Sequence, residues 1–223
     1  MAAVAALPTQ VRHLVRHPER TRARILAASL AEFAAHGYAG TRVDRIARRA
    51  RVNKRMLYHY FGSKDGLFRA VLGRKLGERA AWITATPDDP AETLPYWFGL
   101  VYSEPEWIRL LEWEALEMGS GAVSRETERR HRLQQAVELL RDRQARGHLR
   151  SDVDPRHLLL AMMGLTMLPL AFPQLTRLVT GLRPMEPAFR RQRVEFLRQF
   201  AEALRPKRWR RQRRKGAPHG GRS

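Results

Sequence analysis

Two short amphipathic segments separated by only three residues constrain this chain more than anything else in it. Thr41, with Asp44 three positions on, has the chemistry of a helix N-cap, and Val43, Ile46, Ala47 and Ala50 recur behind it at helical spacing. Arg51, Val52 and Asn53 follow. Asn53 is a good N-cap for a second short segment, whose inward pair is Leu57 and Phe61, four residues apart. The residues therefore predict helix, three-residue turn, helix.

The flanking segments extend the pattern. Residues 18–37 open on Pro and Glu, as a helix first turn often does, and place Ile25, Leu26, Ser29, Phe33 and Ala34 on one face before Gly37 stops the run. After Gly62 and Ser63 break and recap the chain, residues 64 to about 83 carry Leu67, Phe68, Val71, Leu72 and Leu76 as the stripe of a longer helix. Thr86 to Pro90 reads TPDDP, a turn composition and the best boundary in the chain. Beyond it, helices are expected over 91–103, 106–118, 124–146, 155–170 and 187–204. No strand alternation and no repeat interrupts them. The expected fold is all-α: an N-terminal extension (1–17), a three-helix helix-turn-helix domain (18–83), a helical domain (84–204) and a basic tail (205–223), expected to be disordered.

Composition narrows the function. An apolar fraction of 43% over 223 residues can build a real core. Lys and Arg number 42 against 22 Asp and Glu, a formal charge of +20, which points to a polyanion: nucleic acid or anionic lipid. With no Cys there are no disulfides, thiolate zinc sites or Cys nucleophiles. No nucleophile, carboxylate pair or phosphate loop suggests catalysis. His131, His148 and His157 lack partners at ligand spacing, so neither a metal nor a cofactor is expected. The longest apolar run, 158–168, falls short of the ~20 residues of a membrane span, and the N-terminus lacks the charged region of a signal peptide. A soluble, cytoplasmic protein without a membrane partner is expected.

The charge concentrates where the short helices lie. Residues 18–61 hold ten Lys or Arg against three acidic residues. With Leu57 inward, Arg55 and His59 point directly outward, Met56 and Tyr58 flank them, and Lys54 stands at the helix start. Arg can pair bidentately with guanine, and Tyr can pack on a thymine methyl or bond a phosphate. Thr41 and Arg42 at the start of the preceding helix, and Lys64 at the start of the next, are placed to clamp phosphates. The partner these residues indicate is double-stranded DNA, read in the major groove.

Residues 25–72, ILAASLAEFAAHGYAGTRVDRIARRARVNKRMLYHYFGSKDGLFRAVL, resemble the DNA-binding domain of TetR/AcrR transcriptional regulators nearly position by position. Phe33, Gly37-Tyr38, Thr41, Ile46-Ala47, Ala50, Val52, Leu57-Tyr58, Phe61, Ser63-Lys64 and Leu67 carry the likeness. It implies a helical C-terminal domain that dimerises and often binds a small effector, and two recognition helices on a palindromic operator. By position it implies DNA contacts at Arg42, Lys54, Arg55, Tyr58, His59, Tyr60 and Lys64, with Arg55 and Tyr58 nearest the bases. The implied function is a ligand-responsive repressor, a homodimer released from its operator by an effector whose identity the sequence does not give.

One departure stands in the turn. The family commonly has Gly after the Ala, where this chain has Arg51. Either Arg51 adds a phosphate contact that offsets a strain of ~1 kcal/mol, or the turn is reshaped.

Other features admit more than one reading. Trp82, Trp97, Trp107 and Trp113 suit either core or an effector pocket. Residues 158–170, apolar almost all round with Met162, Met163, Gly164 and Met167, and the stripe Phe189, Phe196, Leu197, Phe200 and Leu204 suit either a dimer interface, as the resemblance suggests, or internal core. The tail segment 207–215, seven basic residues in nine, could add non-specific DNA affinity or solubility, or could be an artefact of the gene boundary. The charge and the tail also suit an architectural DNA-binding protein, the competing function.

Overall fold

The computed structural model describes residues 18–119, 121 and 123–206. Among them it is all α, with eleven helices and no strand: α1 (Pro18–Gly40), α2 (Val43–Ala50), α3 (Lys54–Phe61), α4 (Lys64–Glu78), α5 (Ala80–Thr84), α6 (Pro90–Tyr102), α7 (Pro105–Met118), α8 (Glu126–Ala145), α9 (Pro155–Ala171), α10 (Pro173–Thr180) and α11 (Pro187–Ala203). Six of these, α1, α6, α7, α9, α10 and α11, start on proline, whose missing N–H is no loss in a first turn and whose fixed φ suits one.

Two apolar cores organise the molecule. The first joins Ile25, Leu26 and Phe33 of α1, Ile46, Ala47 and Ala50 of α2, Leu57 of α3, and Leu67, Phe68, Val71, Leu72 and Leu76 of α4. It continues into Val101 of α6 and Trp107, Ile108 and Leu110 of α7. The second lies among Leu94 and Phe98 of α6, Leu140, Leu149, Leu158 and Met162, and Phe189, Leu197 and Ala201 of α11. The three N-terminal helices thus do not close a core by themselves; α7 supplies part of it.

Three expectations are corrected by packing. The helix expected over 64–83 breaks after Glu78, and α5 follows a turn at Arg79, whose guanidinium stacks on Trp82 and Trp107 at 4.6 and 4.2 Å. The segment after residue 171 holds another helix, α10, set at 90° to α9. Thr41 does not cap α2: its side chain is buried, its hydroxyl donates to the Gly37 carbonyl at 2.6 Å, and Arg42 occupies the cap position without a side-chain bond.

The 86–90 segment is a turn, and a pinned one. Asp89 caps α6 by accepting from the Ala91 N–H at 3.0 Å. The buried Arg143 guanidinium of α8 donates to the Pro87 carbonyl (2.5 Å), the Thr86 carbonyl (3.3 Å) and the Thr93 hydroxyl (3.0 Å). Residues 1–17 and 207–223, the expected extension and most of the expected tail, lie outside the described residues. Arg205, at the tail's start, pairs with Asp89 at 2.6 Å. No single described helix is long and apolar enough to cross a membrane; α9 and α10 pass that test only as a bent pair.

Candidate nucleic-acid interface

The backbone around α3 is fixed at both ends by its own residues. The Asn53 side chain accepts from the Arg55 N–H at 2.8 Å, and the Gly62 N–H returns to the Tyr58 carbonyl at 2.8 Å. Leu57 is buried at 2% exposure and Phe61 is half-buried against the first core. Anchoring these two leaves Arg55, Tyr58 and His59 exposed, as helical geometry requires, with Tyr58 at 44%. Tyr60 is half-buried, its ring packed against the first core and 5.5 Å from the His59 ring, so it also helps to seat the helix.

Two of the flanking cations, Lys54 and Lys64, are held in place by neighbouring groups. Lys54 pairs with Asp44 across the turn at 3.0 Å, and the hydrogen bond and charge of that carboxylate raise the lysine pKa. Lys64 Nζ lies 4.8 Å over the Tyr38 ring and 3.3 Å from the Ala39 carbonyl, joining α4 to the end of α1, and its partial burial lowers its pKa. Arg42 is exposed at the start of α2. Thr41 stands apart from this set, because its hydroxyl is buried and also lies 3.1 Å from the Glu32 carbonyl.

Arg51 adopts φ 52°, ψ 51°, the left-handed conformation in which glycine is at ease, so the turn keeps its shape and accepts the strain. A second arginine stabilises it. Arg24, from α1, donates to the Ala50 carbonyl at 2.5 Å and the Arg51 carbonyl at 2.8 Å, satisfying two acceptors that the end of α2 would leave open. Sequence reasoning missed Arg24 and also Glu32. The Glu32 carboxylate, 7% exposed, takes Arg45 at 3.0 Å and Arg49 at 3.7 Å, fastening α2 to α1. Its place three residues after Ser29 on the buried stripe was the available signal.

Behind this head lies a cavity of about 290 Å³. Trp82, Trp97 and Trp107 line it, which assigns three of the chain's five tryptophans to a pocket wall. Trp113 instead packs on α1, its indole N–H 3.3 Å from the Ala34 carbonyl, where Arg109 also donates at 2.9 Å. Helix α7 therefore touches the cavity through Trp107 and Leu111 and the end of α1 through Arg109 and Trp113. Helix α4 lines the cavity through Leu76 and carries Lys64 at its other end.

Comparison with known proteins agrees with this arrangement. Residues 25–71 match the family described as "Bacterial regulatory proteins, tetR family", and residues 96–202 match "Tetracyclin repressor-like, C-terminal domain". The HTH-type transcriptional repressor SCO4008 of Streptomyces coelicolor is 37% identical over 166 residues, which cover 74% of this chain and 86% of that protein. The HTH-type transcriptional repressor NicS of Pseudomonas putida is 31% identical over 159 residues, 66% of this chain and 74% of that protein. Among solved structures, the putative transcriptional regulator SCO4942 from Streptomyces coelicolor superposes with a TM-score of 0.69 at 28% identity, covering 84% of this chain and 99% of that one. FadR from Bacillus subtilis, solved in complex with stearoyl-CoA, shares the fold at a TM-score of 0.57 and 17% identity, over 79% of this chain and 97% of that one. With its helix-turn-helix, its cationic α3 surface and its helical C-terminal domain, this chain belongs to the TetR family of DNA-binding transcriptional regulators.

Proposed function

We propose that the protein is a repressor that binds a palindromic operator as a homodimer and leaves it when a small molecule occupies the cavity. The observation that carries this reading is the outward face of α3. It presents Arg55, Tyr58 and His59 on a helix of eight residues whose opposite side is anchored by Leu57. In this reading Arg55 and Tyr58 contact bases, while Arg42, Lys54, His59, Tyr60 and Lys64 position the helix on the sugar-phosphate backbone. The Thr41 side chain takes no part.

A palindrome calls for two-fold symmetry, and a set of exposed apolar side chains supports this part of the reading. Leu160 and Leu168 of α9, Leu175, Leu178 and Val179 of α10, and Phe196 of α11 are exposed, between 43% and 76%. We assign these helices to the dimer contact, with α10 added to the two expected from sequence. Release follows from shared elements: a ligand that moves Trp107 or Leu76 moves α7 or α4, and with them α1 and the recognition helix. The protein acts in this reading on cytoplasmic DNA. Selection of bound fragments from genomic DNA by the purified protein tests it. One or a few inverted repeats are expected, while broad protection without a shared sequence would indicate an architectural protein instead.

A further inference from the structure

The cavity carries information about what enters it. Its wall is apolar nearly throughout, built on three indoles and on Met162, Met163 and Met167. Indoles offer flat stacking surfaces and methionines adapt to irregular shapes. A volume of about 290 Å³ is at the small end for ligand sites, room for two or three rings rather than a long chain.

Among the described residues that line it, three are cations, Arg79, Arg129 and Arg132, and none is acidic. Arg129 and Arg132 stand one turn apart on α8, and Leu133 and Ala136 continue the same face, so the cationic part lies at one end of that stripe. Each of these arginines pairs with a carboxylate that does not itself line the cavity, and all but one of the carboxylates around them are shared with a second cation. Glu104 is shared by Arg79 and Lys75, Glu78 by Lys75 and Arg74, and Glu128 by Arg125 and Arg132, while Glu114 holds Arg129. Four carboxylates thus serve six cations. Each of the three lining arginines also keeps an enclosed donor with no acceptor among the described residues: Nε of Arg79, Nε of Arg129 and Nη1 of Arg132.

We propose that the effector is a small aromatic or fused-ring organic acid. Its rings lie among the indoles and methionines, and its carboxylate lies at the arginine end, against guanidinium groups whose own carboxylate partners stand outside the wall. A cationic molecule of the same shape meets an excess of positive charge in a low-dielectric wall and is rejected. This inference rests on reading the cavity as the effector site.

The test uses the full chain and three probes of one shape, naphthoic acid, naphthamide and naphthylmethylammonium, titrated calorimetrically. The acid is expected to bind about tenfold or more tighter than the amide, as a charge-assisted hydrogen bond to a desolvated arginine should provide, with the ammonium weakest. Arg132→Gln should erase the advantage of the acid and leave amide binding within about twofold. Ala136→Phe, which adds bulk at the wall, should abolish binding of all three. Both variants should keep the parent's helical circular dichroism and cooperative melting, which shows that they fold. Equal or tighter binding of the amide or ammonium, an acid preference that survives Arg132→Gln, or no binding by any probe overturns the proposal. DNA affinity is measured in parallel. Acid binding that leaves DNA affinity unchanged would preserve the ligand class and remove the release mechanism, whereas absent acid binding with normal DNA affinity removes the ligand class alone.

Discussion

At Arg51 a non-glycine residue holds the left-handed conformation, and the turn survives because Arg24 reaches across from α1 to its carbonyls. Arg51→Gly is expected to raise stability by roughly 0.5–1 kcal/mol, since the β-carbon's steric cost disappears while the Arg24 bonds remain. Scanning calorimetry would read this as a rise of a few degrees at most in a chain of this size. The same scale separates readers from clamps. Arg55→Ala and Tyr58→Ala are each expected to cost ~1–3 kcal/mol, concentrated at particular base pairs, whereas Lys64→Ala should weaken all sequences alike. Affinity measured over an operator and its single-base variants distinguishes the two, and uniform losses throughout would remove Arg55 and Tyr58 from the reading set.

At the scale of the helix, α1 and α7 meet where α1 breaks. Gly37 adopts φ 67°, ψ −178°, and a β-carbon there would come within 2.7 Å of the Trp113 ring. The break lets Thr41 turn inward and lets Trp113 and Arg109 reach the Ala34 carbonyl. Gly37→Ala is expected to destabilise the protein by ~1–3 kcal/mol, from backbone strain and the clash together. Trp113→Ala in the same chain should recover part of that loss, because it removes the clash but not the strain. A double-mutant cycle by chemical denaturation measures the coupling, and strictly additive losses would mean that the two residues do not press on each other. Helix α3 illustrates the complementary point: eight residues are too few for a stable isolated helix, so Leu57, the Asn53 cap and the first core hold it.

At the scale of the molecule, the proposed dimer decides DNA affinity. Exposed Leu178 and Val179 sit at 75% and 76%, beyond what a monomer's surface needs, on a helix that adds little to either core. Leu178→Arg combined with Val179→Glu is expected to yield a folded monomer by light scattering, since neither side chain is packed. Its operator affinity should fall about hundredfold or more, because the second half-site no longer benefits from the effective concentration that pairing provides. A dimer that persists with full affinity would place the interface elsewhere.

Periodicity, caps and breakers by themselves determined the all-α class, the three N-terminal helices with their turn, and the outward set on α3. These are local properties: apolar spacing fixes which face turns inward, and Asn53, Ser63 and Gly37 act within one turn of where they stand. Helix α10 is marked locally as well, by Pro173 at its start and Gly181 just past its end. What only the tertiary structure decided were contacts between distant segments. The Thr41 hydroxyl is spent on α1, Arg24 props a turn 26 residues away, and Glu32 binds α2. Three tryptophans from α5, α6 and α7 converge on a cavity while Trp113 locks the head, a division no spacing rule could make. Each depends on which side chain meets which across the core, and a sequence specifies that only through the packing of the whole chain.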